Sequence, residues 1–355
     1  MKKILIPVLA LALFLSSCAI AETSQTTSPG IIAQWQFSSP MSSSAVLEVD
    51  GKPYVFLGTY EEQDDSYQAS LSIMDPTDPM TPREVGNLPV PGLSRIPISD
   101  IAISESLLFA TIAVPTADRT IGLWLVDISS IDSPRQSFLL DIESLPGQIS
   151  LSEQLAFINT TEGTIIINIS NRMSPYEILT MGIAGRMVTS DSMLSVVNKN
   201  GFHLVDVSTP TSPEPLGFLP SPSGMLEEGD QLLDVVISGQ YAYVAYGLYG
   251  LVLIDISDPM SPVEIARMDT PVAATKLLVS GDMLYVLQTT AQNGQQSGDI
   301  LSAVDVSDPG DPRIVDSMEL PTDRGRIAGL IEDRIYITDT ENLIIIDALV
   351  FTAGD

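Results

Sequence analysis

Short apolar runs that end in one acid or amide recur along the chain: LWLVD at Asp127, IIIN at Asn168, FHLVD at Asp206 and LVLID at Asp255. Their β-branched residues and near-continuous apolarity predict strands covered on both faces. Upstream of each lies a second pattern, two apolar segments around a short polar break, as in LLDVVISGQYAYVAYG and ATKLLVSGDMLYVLQ. That pattern predicts a hairpin. Downstream, a proline opens a fourth segment such as PVEIARMD or PEPLGFLP. One unit is therefore four antiparallel strands.

The acid that closes each third strand belongs to a longer motif. It is followed two residues later by Ser or Thr and seven later by Pro, starting at Asp75, Asp127, Asn168, Asp206, Asp255 and Asp305. A seventh start, IIIDAL at Asp347, lacks the Ser and Pro. Successive positions are 52, 41, 38, 49, 50 and 42 residues apart. Four strands at that period predict an all-β fold, a seven-bladed β-propeller of four-stranded antiparallel blades. Six blades remain an alternative if the first unit is only an appendage. The last unit holds three strands (327–331, 334–338 and 343–349), and Ile31–Phe37 resembles the fourth strand of other units. The N-terminal strand is therefore expected to join the last blade and close the ring, leaving no open edge.

The runs LVLIDISDPMSP, FHLVDVSTPTSP and LSAVDVSDPGDP resemble the LVIVD-repeat proteins, over about residues 31–350. The resemblance implies a propeller at the bacterial cell surface and implies no reaction.

The N-terminus changes the picture of where this ring sits. Lys2 and Lys3 precede the apolar run ILIPVLALALFL, which is short for a membrane span. Leu15-Ser16-Ser17-Cys18 looks like the lipobox of a bacterial lipoprotein. The expected organisation is a signal peptide over 1–17, a lipidated Cys18 opening a flexible tether over 18–30, and one propeller domain over 31–355. Localisation to the bacterial cell envelope follows, with the lipid on Cys18 as the only membrane contact. Cys18 is the single cysteine, so no internal disulfide is available. A formal charge of −29 argues against nucleic acid and anionic headgroups as partners.

Candidate chemistry is sparse. The repeated Asp residues lie in separate blades, too far apart to share one calcium ion, and read as caps of their own turns. Glu61-Glu62-Gln63-Asp64-Asp65 lacks the spacing of a calcium loop and reads as a solvated acidic loop. His203 is the only histidine and falls on a packing position, so neither a Ser-His-Asp site nor a His/Cys metal centre is supported. No cofactor is expected.

The irregular lengths are more informative. They fall at 60–70, 114–121 and 288–300 between second and third strands, and at 88–99 and 220–231 between blades. In a propeller these loops share one face, where binding usually resides. The innermost strands begin on that face, at Ala45, Asp100, Gln148, Arg186, Asp234, Lys276 and Ile327, with Arg326 just before the last. Arg95 and Arg324 lie nearby in sequence. The expectation is a polar ring at the channel mouth that accepts a small charged ligand or a partner's carboxylate, or whose charges satisfy one another. The leading function is a monomeric, non-catalytic binding or scaffolding module. The alternative is an extracellular, glycosidase-like hydrolase using Asp100 and Asp234.

Overall fold

The computed structural model describes residues 20–24, 29–63, 66–91, 98–114, 120–221, 233–289 and 298–351. Signal-peptide residues, Cys18, Arg95, half of the 88–99 loop and most of the 114–121, 220–231 and 288–300 loops lie outside these.

Seven antiparallel sheets form the molecule. Strands β1 (Ile20–Ser24) and β2 (Ile31–Phe37) come first. Blade 1 follows with β3 (Met41–Val49), β4 (Lys52–Gln63), β5 (Ser66–Asp75) and β6 (Arg83–Pro89), and blade 2 with β7 (Ile98–Ser104), β8 (Leu107–Val114), β9 (Thr120–Asp127) and β10 (Arg135–Asp141). Blade 3 holds β11 (Pro146–Leu151), β12 (Leu155–Thr160), β13 (Thr164–Asn168) and β14 (Tyr176–Met181). In blade 4 these become β15 (Arg186–Ser190), β16 (Met193–Asn198), β17 (Gly201–Asp206) and β18 (Glu214–Pro220). Blade 5 contains β19 (Leu233–Ser238), β20 (Tyr241–Tyr246), β21 (Leu251–Asp255) and β22 (Val263–Met268), and blade 6 β23 (Ala273–Ser280), β24 (Met283–Thr289), β25 (Asp299–Asp305) and β26 (Arg313–Leu320). Blade 7 ends the chain with β27 (Arg326–Ile331), β28 (Arg334–Thr338) and β29 (Asn342–Asp347).

The innermost strands β3, β7, β11, β15, β19, β23 and β27 each pack on the next, and β27 returns to β3, so the ring closes. The first unit is a full blade, which removes the six-bladed alternative. Closure uses the N-terminal strand: β2 pairs with β29, matching Trp35 to Leu343 and Ile31 to Ile346. Trp35 is fully buried between blades 7 and 1, and its indole N–H donates to the Pro79 carbonyl at 2.9 Å. Within the segment read as a tether, Ile20–Ser24 instead add a fifth strand to blade 7. The bare edge of β2 offers unpaired backbone groups, and these five residues contain no Pro or Gly to prevent pairing.

The motif builds one face. The Asp or Asn side chain accepts the backbone N–H two residues on in every blade, from Thr77, Ser129, Ser170, Ser208, Ser257, Ser307 and Leu349, at 2.8–3.0 Å. The Ser129, Ser208 and Ser257 N–H groups hold the Asp127, Asp206 and Asp255 carboxyls below their ordinary range. The apolar residue after the acid is buried, and in blades 2 to 7 its N–H reaches back to the first hairpin turn, as from Ile256 to the Gln240 carbonyl at 2.8 Å. Motif turns also pack on the outer strand of the preceding blade. A methyl added at Gly217 of β18 would overlap the Pro259 carbonyl and Pro262 ring of blade 5. Gly86 of β6 stands in the same relation to Ile131 and Pro134 of blade 2. The motif is thus a joint between blades.

Candidate functional site

The opposite face carries the second-to-third strand connections and the crossings between blades. Within the 60–70 segment β4 and β5 stay paired out to Gln63 and Ser66, so Glu61 and Glu62 belong to the strand ladder, while Asp64 and Asp65 lie outside the described residues. Tyr60 faces Ala69 and Glu61 faces Gln68, so no like charges oppose each other at these pairs of the ladder. Pairing likewise runs to Val114 and Thr120 in blade 2 and to Thr289 and Asp299 in blade 6.

The channel mouth lies at the centre of this face. Asp100, Gln148, Arg186, Asp234 and Lys276 occupy the same rung of five successive inner strands, the fifth pair counted from the hairpin turn in blades 2, 4, 5 and 6. In blade 7 a bulge at Ala328 offsets the count, so Arg326, paired with Thr338, holds that rung. Ile327 turns into the core packed around Ile335 and Ile337. The expected place of Ile327 in the ring is therefore corrected to Arg326, because a bulge adds one residue without adding a rung. Ala45 completes the ring in blade 1.

The six polar members are all half-buried. Three act as clamps between neighbouring blades. One Asp100 carboxylate oxygen accepts the Ile149 N–H at 2.8 Å, and one of Asp234 accepts the Leu277 N–H at 3.0 Å. The Gln148 amide accepts from the Met187 N–H at 2.9 Å and donates to the Met187 carbonyl at 3.0 Å. The three cations behave differently. Among the described residues, no carboxylate comes within 4.0 Å of Arg186, Lys276 or Arg326. No direct ion pair among the ring charges forms there.

The ring members still feel one another. Burial lifts the Asp100 carboxyl above its ordinary value, opposed by the Ile149 N–H and by Arg186. Burial pulls the Lys276 ammonium down, with Asp234 and Asp100 resisting and Arg186 and Arg326 reinforcing. The Arg326 guanidinium is lowered for the same reason, in the field of Asp100 and Arg186. Residues of blades 2, 4, 5, 6 and 7 interact in this way because their inner strands surround one channel. Arg324, expected nearby, is exposed on a turn with φ of 56°.

Two features of this face carried no signal in the sequence pattern. Asp299 is fully buried, its carboxylate taking the Thr289 and Thr322 hydroxyls and the Gly325 N–H, each at 2.7 Å. Burial raises its carboxyl. Beside it a cleft of about 390 Å³ is lined by Thr322, Asp323, Asp339, Glu341 and Asn342. Asp339 there accepts the Glu341 and Asn342 N–H groups at 2.7 and 2.6 Å, capping its own turn. His203 is half-buried on the outer side of blade 4, its ring 4.6 Å from that of Phe218, and desolvation lowers its basicity. It serves packing.

Among solved structures, a protein from Lactobacillus plantarum superimposes with a TM-score of 0.60 at 13% identity, covering 78% of this chain and 84% of that one. The periplasmic gluconolactonase PpgL of Pseudomonas aeruginosa gives 0.60 at 11%, covering 84% and 95%. AztD of Citrobacter koseri gives 0.54 at 16%, covering 79% and 90%. At these identities the likeness is one of fold. No curated protein matches the sequence. The sequence profile of the LVIVD repeat matches residues 147–181, 182–217 and 231–270, which span blade 3, blade 4 and blade 5. The chain is a seven-bladed β-propeller carrying LVIVD repeats.

Proposed function

We propose that this protein is a non-catalytic binding module of the cell envelope, anchored through a lipid on Cys18, whose channel mouth receives the anionic group of a ligand. The observation that carries this reading is the asymmetry of the ring. Its carboxylates and amide are spent on neighbouring backbone, while among the described residues Arg186, Lys276 and Arg326 have no carboxylate at ion-pair distance, in a strongly acidic chain. A half-buried cation without a partner favours an anion that can enter beside it.

The hydrolase alternative would need Asp100 and Asp234 as acid and base. Each already commits an oxygen to a backbone N–H of the next blade, a geometry that suits clamping. Three measurements test the reading. Thermal shifts across a panel of small anions should move the melting point of the chain from Ala19 onward and leave Arg186→Ala unmoved; equal responses would sink it. A generic hydrolase panel should show no turnover, and turnover lost in Asp100→Asn or Asp234→Asn would establish the alternative. Acyl labelling in a bacterial host should appear on the wild type and vanish in Cys18→Ala.

A further inference from the structure

In a two-residue hairpin the first pair exchanges N–H···O bonds and the pairs alternate from there. The N–H of the fourth residue of an inner strand therefore points away from its hairpin partner, toward the preceding blade. Met187 and Leu277 hold that fourth position in blades 4 and 6, and Ile149 its equivalent in blade 3. These are the three N–H groups taken by Gln148, Asp234 and Asp100. Val235 of blade 5 and Val46 of blade 1 stand on the same rung. The ring residue before Val235 is Arg186 and that before Val46 is Arg326, and a guanidinium has no acceptor to offer. Among the described residues no side chain accepts from either N–H. Wherever the ring carries an acceptor the next N–H is filled, and beside both arginines it is not.

We infer that the channel mouth binds a small polycarboxylate, one carboxylate taking the Arg186 guanidinium with the Val235 N–H and another taking Arg326 with the Val46 N–H. This rests on the anion-binding reading above and gives it a chemical class. The ligand's planar, two-oxygen group takes the place that the Asp100 and Asp234 carboxylates fill in their own blades. Lys276, on blade 6 between them, adds charge along the bridge. A second carboxylate gives one ligand a separate group for each guanidinium, one on blade 4 and one on blade 7.

Calorimetric titration of the chain from Ala19 onward, at fixed ionic strength, compares acetate, succinate, citrate and inorganic phosphate. Affinity should rise from acetate to succinate to citrate, with phosphate weak. Arg186→Ala should weaken citrate by about tenfold or more, the loss of one charge-assisted pair. The diagnostic variant is Arg186→Gln. Its amide should cap the Val235 N–H as Gln148 caps Met187, so it should lose citrate yet melt above Arg186→Ala when ligand-free. Arg326→Gln repeats the test at Val46 should the first variant fail to fold. Affinity indifferent to carboxylate number, or phosphate matching citrate, overturns the polycarboxylate. Citrate binding that survives Arg186→Gln, or a Gln variant melting no higher than the Ala variant, overturns the N–H pairing. If no anion binds wild type and Arg186→Ala changes nothing, the anion-binding reading itself falls.

Discussion

The two faces of the ring solve the same joining problem with opposite tolerance. On the motif face every blade uses one device, a side-chain oxygen two residues ahead of its donor, and the turns at blades 2 and 5 seat on the outer strand next door. At the channel mouth the equivalent rung is filled by Ala45, Asp100, Gln148, Arg186, Asp234, Lys276 and Arg326, and only three of these clamp the neighbouring backbone. Uniformity marks where the chain holds itself together. Variation marks where it can hold something else.

The comparison breaks first at the closure. Trp35→Ala removes a fully buried indole between blades 7 and 1 and its bond to the first motif turn, at a cost of about 3–5 kcal/mol. Chemical denaturation should show that loss; a cost near zero would mean the joint does not hold the ring. Next is Gly217→Ala, which forces a methyl into the blade 5 motif turn and should cost about 1–3 kcal/mol by overpacking. An alanine at the exposed Gly182, where a methyl meets nothing, is the control and should melt like wild type. Smaller still, Asp255→Ala should lower the melting point because the Ser257 N–H loses its acceptor, whereas Asp255→Asn should not. Asn168 already performs the same cap with its amide oxygen, 3.0 Å from the Ser170 N–H.

The smallest effect separates the faces by pH. The caps have folded pKa values below the ordinary 3.8, so their contribution is complete above that value and fades as pH falls through the lowered one. Asp100 runs the other way. Its folded value is raised, so the folded state favours the protonated form and stability is lost as pH climbs from 3.8 through the raised value. Melting curves taken upward from about pH 4 should therefore fall less steeply in Asp100→Asn than in wild type. The amide can still accept the Ile149 N–H. Parallel curves would show that burying this carboxylate has no energetic consequence.

Much of this was readable from residue order. The motif set the strand register, and equal spacing from the hairpin turn placed Asp100, Gln148, Arg186, Asp234 and Lys276 on one rung. The count failed at Ile327, where the Ala328 bulge adds a residue that no periodicity announces. Asp299 was missed because its three donors come from Thr289, Thr322 and Gly325, separated in sequence and joined only where blade 6 meets blade 7. The pairing of Ile20–Ser24 escaped notice because it depends on an edge supplied by the last strands of the chain.

That added strand has a geometric consequence. Ile20 pairs with Phe37, whose N–H reaches the Glu341 carbonyl, so β1 starts beside the channel-mouth face and runs toward the motif face. Cys18 stands two residues ahead of Ile20, a chain reach of no more than ~7 Å. An acyl group on Cys18, as proposed above, would bring the channel-mouth end of blade 7, and not the end that carries its Asp347 turn, next to a bilayer.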